Sequence, residues 1–192
     1  ARRGGPLLPP YEGLDTLERL HREIAALAPE MVISLGDGFD DARAAQAPDA
    51  ALRDTLLRLM AGRRWVWILG NHDPAPPSFG GEARTSLALG PLRLRHAALR
   101  RPAEPHTPEA PPEPVEISAH YHPKAQMVIR GRKLSRRCFL WDGARLILPA
   151  FGAYTGGLPA DDPAFDALMG ADALALVLSG DRVLPFPRAR RP

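Results

Sequence analysis

The residues able to do chemistry fall at particular places in this chain. Asp37 follows the apolar run Met31–Leu35 and Gly36, and Asn71, His72 and Asp73 follow the run Trp65–Leu69 and Gly70. His96 comes just after Leu92-Arg93-Leu94, and His120 and His122 come just after Val115–Ala119. Short apolar runs stopped by glycine or polar residues read as buried strands. Open α/β sheets bind ligands beyond the carboxyl ends of their strands. Four strand ends thus carry imidazole nitrogen, carboxylate and amide oxygen toward one edge. Such a donor set, without thiolate, suits Mn, Fe or Zn. Taken singly, Gly36-Asp37 is most often a turn, and a lone His96 is most often surface or core. Gly70-Asn71-His72-Asp73 and the pair His120 and His122 say more, and the conjunction in this order carries the reading. His21, on a helix, and His106, among prolines, read as solvent-facing.

The elements that must position these residues follow from period and punctuation. Leu14, Leu17, Leu20, Ile24 and Leu27 recur at spacings of three and four, predicting a helix that ends near Pro29. A second helix runs from about Asp49 through Leu52, Leu56 and Leu59 to Gly62. Two helix-then-strand units in succession predict βαβ layering. Beyond residue 80 the pattern turns to strands: a hairpin around Gly90-Pro91, strands at Val115–Ala119, Met127–Arg130, Cys138–Trp141 and Arg145–Leu148, and a closing hairpin around Gly180-Asp181. Pro163–Met169 reads as a short helix. Residues 102–114, with six prolines, read as an insertion, and residues 188–192 as a frayed tail.

Composition narrows the class. The 192 residues are 45% hydrophobic and 24% charged, which predicts one globular domain with a real core. No apolar run approaches a membrane span, and no signal peptide opens the chain. Cys138 is the only cysteine, which excludes an intrachain disulfide and fits a cytoplasmic location. The net charge of +3 permits a phosphate-bearing partner without demanding one.

Gly36-Asp37, Gly70-Asn71-His72-Asp73, His96 and Ala119-His120-Tyr121-His122, in that order, resemble the calcineurin-like metallophosphoesterase superfamily. More narrowly, Leu7–Tyr11, Gly36–Asp41, Arg136–Phe139 and Pro149–Leu158 resemble the bacterial DNA-ligase-associated metallophosphoesterases, a family of DNA damage response endonucleases and phosphoesterases. The resemblance implies an α/β/β/α sandwich of two packed mixed sheets flanked by helices, with two divalent metals, foremost Mn²⁺, at one sheet edge. It implies Asp37 as the bridging ligand, Asn71, His96 and His120 as further ligands of the second metal, and His122 as a ligand of the first. His72 would donate a proton or stabilise charge at the leaving-group oxygen, with Asp73 orienting it. Arg2, Arg3, Arg130, Arg132, Arg136 and Arg137 would contact a DNA backbone.

Three departures accompany the resemblance. Ala119 stands where the superfamily usually has Gly, and Asp40 where relatives often show His. The superfamily's opening Asp-x-His, which supplies two ligands of the first metal, occurs nowhere in the sequence. The expectation is therefore a single metallophosphoesterase domain over 1–192, N-terminally truncated and missing its first strand, holding one metal or none. The implied function is a metal-dependent phosphodiesterase or nuclease acting on DNA in repair, with a metal-activated hydroxide attacking phosphorus. DNA ligase and helicase repair partners are implied with it. The alternatives are a catalytically impaired scaffold of a repair complex, or a phosphoesterase for small phosphate esters.

Overall fold

Leu17, Leu20 and Ile24 line one face of the first helix, α1 (Glu12–Leu27), and that face is what the helix buries. The computed structural model describes residues 12–39, 45–46, 48–100, 114–180 and 182–188. Arg2 and Arg3, the motif at 7–11, Asp40 and Asp41, His106, the proline-rich residues 101–113 and the tail 189–192 lie outside the described residues. The chain forms two compact units, Ala1–Ser86 with Phe151–Thr155, and Leu87–Ala150 with Gly156–Pro192.

In the first unit, β1 (Met31–Ser34), α2 (Ala50–Met60) and β2 (Arg64–Ile68) make the expected βαβ step. The two strands are parallel, with Met31 opposite Arg64 and Ser34 opposite Trp67. Asp49 starts α2 by accepting from the Ala51 and Leu52 amides at 3.0 and 3.4 Å, as an N-cap aspartate should. Ile24, Leu56, Leu59, Trp65 and Trp67 form the buried core, each large side chain contributing up to about 3 kcal/mol by removal from water. A strand not expected from the sequence, β3 (Glu82–Arg84), runs parallel to β2. It has no apolar run to betray it. Its Glu82 takes a two-pronged grip from Arg64 at 2.7 and 3.0 Å, which holds the Glu82 carboxyl below its ordinary range.

The second unit is mostly sheet. Its described strands are β4 (Ser86–Leu89), β5 (Leu92–Arg95), β6 (Val115–Ser118), β7 (Lys124–Ile129), β8 (Arg132–Trp141), β9 (Arg145–Ile147), β10 (Leu174–Ser179) and β11 (Arg182–Pro187). They are ordered β11-β10-β8-β9-β6-β5-β4, with β7 paired to β8. β5, β6 and β9 are mutually parallel neighbours, whereas β8 and β10 are antiparallel. β11 carries Pro185 and Pro187 and sits at an end of the order, where a missing amide donor costs least. Phe165, Leu140, Ile147, Met169 and Cys138 are wholly buried in the core of this unit.

The α/β expectation holds as a mixed fold with two sheets and few helices. Local differences have physical reasons. Where a helix was expected at Pro163–Met169 there is only a 3₁₀ turn, Pro163–Phe165, capped by Asp162. β8 begins six residues before the expected Cys138, because its charged first half gains its order from pairing with β7 rather than from burial. Arg188, assigned by sequence to the tail, is instead buried. Its guanidinium donates to the Ala160 and Asp162 carbonyls and to Asp166 Oδ1 at 2.8, 3.2 and 2.7 Å.

Candidate metal centre

Asp37 lies three residues past β1, and Gly70 to Asp73 just past β2. Because these strands are parallel neighbours, both loops leave the same sheet edge. The loops are tied together by carboxylates reaching backbone amides. Asp73, only 7% exposed, accepts from the amides of Asp37 and Gly70 on Oδ1 at 2.9 and 3.0 Å, and from Gly38 on Oδ2 at 2.8 Å. Asp37 Oδ1 in turn accepts from the His72 amide at 2.8 Å. A Cβ at Gly70 would overlap the Asp37 backbone and the Asp73 carboxylate, so the glycine is required by close approach. Asp37 itself has φ 50, a region costly for most side chains and less so for aspartate. The bonds of Asp73 in this structure run to the loop backbone. Its oxygens are engaged by three backbone donors, and its task is to hold the Asp37 loop. Asn71 and His72 are exposed in this loop.

In the second unit, His96 follows β5 and His120 follows β6, again parallel neighbours, and the Ala119 amide donates to the His96 carbonyl at 2.9 Å. This brings His120 Nδ1 to 2.9 Å from His96 Nε2. His96 is buried and His120 half-buried. A row of rings braces them: His96 against His120 at 4.8 Å, His120 against Tyr121 at 4.9 Å, and Tyr121 against the buried Phe165 at 5.7 Å. His120 and His122 both have positive φ, 53 and 50. Of the five non-glycine residues described with positive φ, three are Asp37, His120 and His122. Backbone strain of that kind concentrates at functional sites.

The end of the stretch Pro149–Leu158 packs against the loop bearing His122. Leu158 donates its amide to the Tyr121 carbonyl at 3.1 Å, and a Cβ at Gly157 would overlap the His122 carbonyl. Within this stretch Phe151 and Tyr154 are 41% and 49% exposed.

Two residues that the sequence did not single out support these histidines. Glu116, inward-facing on β6 and 8% exposed, lies 3.0 Å from Arg95 Nε and accepts from the Leu99 amide at 3.2 Å. It thereby fixes the chain on both sides of His96. Tyr121 is the other, its ring packed between those of His120 and Phe165. A charged residue between two β-branched apolar ones, Val115-Glu116-Ile117, was the available signal for the first.

The donors fit a divalent cation. Two imidazole nitrogens 2.9 Å apart suit either one N–H···N bond or two lone pairs facing a metal at about 2.1 Å. Carboxylate oxygen and imidazole without thiolate suit Mn, Fe or Zn. The calcineurin-like phosphoesterase family model matches residues 10–131. The crystal structure of Pseudomonas putida nuclease MPE is similar to this chain, with 28% sequence identity, 95% of this chain and 82% of that chain covered, and a TM-score of 0.70. No curated protein matches.

Proposed function

Because the chain belongs to the calcineurin-like phosphoesterase family, and is thus a metal-dependent phosphoesterase, we propose that its substrate is DNA, hydrolysed at phosphodiester bonds during repair. The observation that carries the substrate class is the likeness to a nuclease across 95% of this chain. In this reading the protein works in the cytoplasm, beside the DNA ligase or helicase partners that the narrower resemblance implies. The described residues include no helix long and apolar enough to cross a membrane.

By the family resemblance, Asp37, His96 and His120 would supply the core of one metal site, with Asn71 as a further ligand. His122, with Asp37, would serve a second. Mn²⁺ is the proposed native ion. A bound cation supplies Lewis acidity, lowering the pKa of water and stabilising negative charge on the phosphoryl oxygens. The neutral Asn71 amide leaves that positive charge undiminished. Asp73, through three amides, holds Asp37 where it can serve as a ligand. His72 would place a proton at the leaving-group oxygen, a role that its exposed position beside Asp37 permits.

The test is a cleavage assay with Mn²⁺, Fe²⁺ or Zn²⁺ on DNA, on bis-p-nitrophenyl phosphate and on p-nitrophenyl phosphate. Hydrolysis of DNA and of the diester in preference to the monoester is expected. Preference for the monoester would move the substrate to small phosphate esters, and no hydrolysis with any metal would favour a scaffold.

A further inference from the structure

The ribbon made by β7 and the first half of β8 is unlike the rest of the second unit. From Lys124 to Arg137 the two strands pair with each other, Lys124 opposite Arg137 and Ile129 opposite Arg132, and at the base Lys124 also bridges to Pro159. β10 takes up β8 only from Cys138 onward. Those fourteen residues hold both lysines of the protein and four arginines, with no aspartate or glutamate. Arg130, Arg132, Lys133 and Arg136 are exposed and make no ion pair with a described residue.

The turn adds a second, independent sign. Ile129 and Arg132 flank a two-residue turn in which Arg130 has φ 51 and Gly131 φ 75, the type I′ pattern. Asn, Asp or Gly suits its first position. An arginine there is strained, yet it sets a cation at the tip. The base of the ribbon is continuous with the loop bearing His120 and His122. The Cys138 amide donates to the Pro123 carbonyl, and the Lys124 amide to the Leu158 carbonyl, at 3.1 and 2.8 Å. Six residue pairs extend about 20 Å, the span of roughly six phosphates along one DNA strand.

We propose that this ribbon is a nucleic-acid arm that grips the phosphate backbone flanking the scissile bond. The occupant is set by charge: a polyanion with regularly spaced phosphates. No Phe, Tyr or Trp lies between residues 124 and 137, so the arm offers no surface on which to stack bases and reads no sequence. Arg130 at the tip reaches farthest from the histidine loop. The inference rests on DNA as the substrate, and its test separates the two.

The experiment measures binding of fluorescent 20-nucleotide DNA, single-stranded and duplex, in two unrelated sequences, by anisotropy in EDTA across a salt series. Wild type is compared with the triple variant Arg130→Gln, Arg132→Gln, Lys133→Gln, with Arg130→Gly, which removes the charge while easing the turn, and with Arg130→Lys. The triple variant should bind at least 10-fold more weakly, equally for both sequences, and its log affinity should depend on log salt with a slope shallower by two to three. Arg130→Gly should lose several-fold and Arg130→Lys should retain most of the affinity. Hydrolysis of bis-p-nitrophenyl phosphate should be unchanged in all three. Unchanged affinity and slope in the triple variant overturn the arm, as does arm-dependent binding to anionic lipid vesicles with none to DNA. Arm-dependent DNA binding by a wild type that cuts no DNA leaves the arm standing and defeats the proposed substrate alone.

Discussion

The two sets of loops that carry the proposed ligands are held by different physics. Around Asp37 the support is polar: a buried carboxylate, Asp73, collects three backbone amides, and Gly70 allows the loops to touch. Around His120 the support is a row of rings running back to Phe165, with the Glu116 and Arg95 pair beside His96. A hydrogen-bonded network loses much when one member goes, because its partners are left buried and unpaired. Ring packing degrades by steps, each edge contact contributing about 0.5–1.5 kcal/mol beyond area. The first half should therefore be brittle and the second tolerant.

Asp73→Ala is the hardest blow to that contrast. It orphans three amides and should lower stability by about 3 kcal/mol or more, with at least a 100-fold loss of diester hydrolysis, checked by denaturant unfolding and by rate. Asp73→Asn, which keeps one carbonyl oxygen, should fall between. Tyr121→Leu tests the other half. It keeps apolar bulk but removes the ring contacts to His120 and Phe165, so a loss of about 1–2 kcal/mol is expected, with metal affinity falling only several-fold in a titration. A loss as large as that of Asp73→Ala would show that the second half is no more tolerant than the first.

Much of this was legible in the sequence, and the limits are physical. Apolar runs ending in Gly36 and Gly70 marked β1 and β2, of which β2 is buried on both faces from Trp65 to Ile68 and β1 is partly buried throughout. The parallel pairing of those strands then brought Asp37 and Asn71–Asp73 to one edge. What could not be read was what each polar side chain reaches. Asp73 looked like a partner for its neighbour His72, yet its bonds go to residues 35 and 36 positions away as well as to Gly70. The first half of β8, Arg-Lys-Leu-Ser-Arg-Arg, lacks apolar alternation and is a strand only through β7. Arg188 looked like tail, because its partners, Ala160, Asp162 and Asp166, lie more than twenty residues upstream.

Two smaller effects sharpen the contrast. Gly157→Ala should push the His122 carbonyl aside, costing about 1–3 kcal/mol as overpacking does. Its activity loss should follow the displaced loop rather than unfolding, seen as reduced hydrolysis at a temperature where circular dichroism is unchanged. Cys138 gives the smallest effect. Burial pushes its thiol up to about 12 from an ordinary 9.0. The folded chain thus keeps the proton that the unfolded chain releases, so this contribution to stability is whole below pH 9 and fades as pH rises toward 12. Iodoacetamide at pH 8 should leave the native thiol unlabelled and label it in denaturant.

In the proposed function, Asp37 and His120 serve the same cation. Mn²⁺ bound per chain, counted by electron paramagnetic resonance during titration of wild type, Asp37→Ala and His120→Ala, tests it most directly. At least one tightly held Mn²⁺ is expected in the wild type, lost in each single variant while far-ultraviolet circular dichroism stays native. Tight Mn²⁺ retained at wild-type stoichiometry in either folded variant would contradict the account.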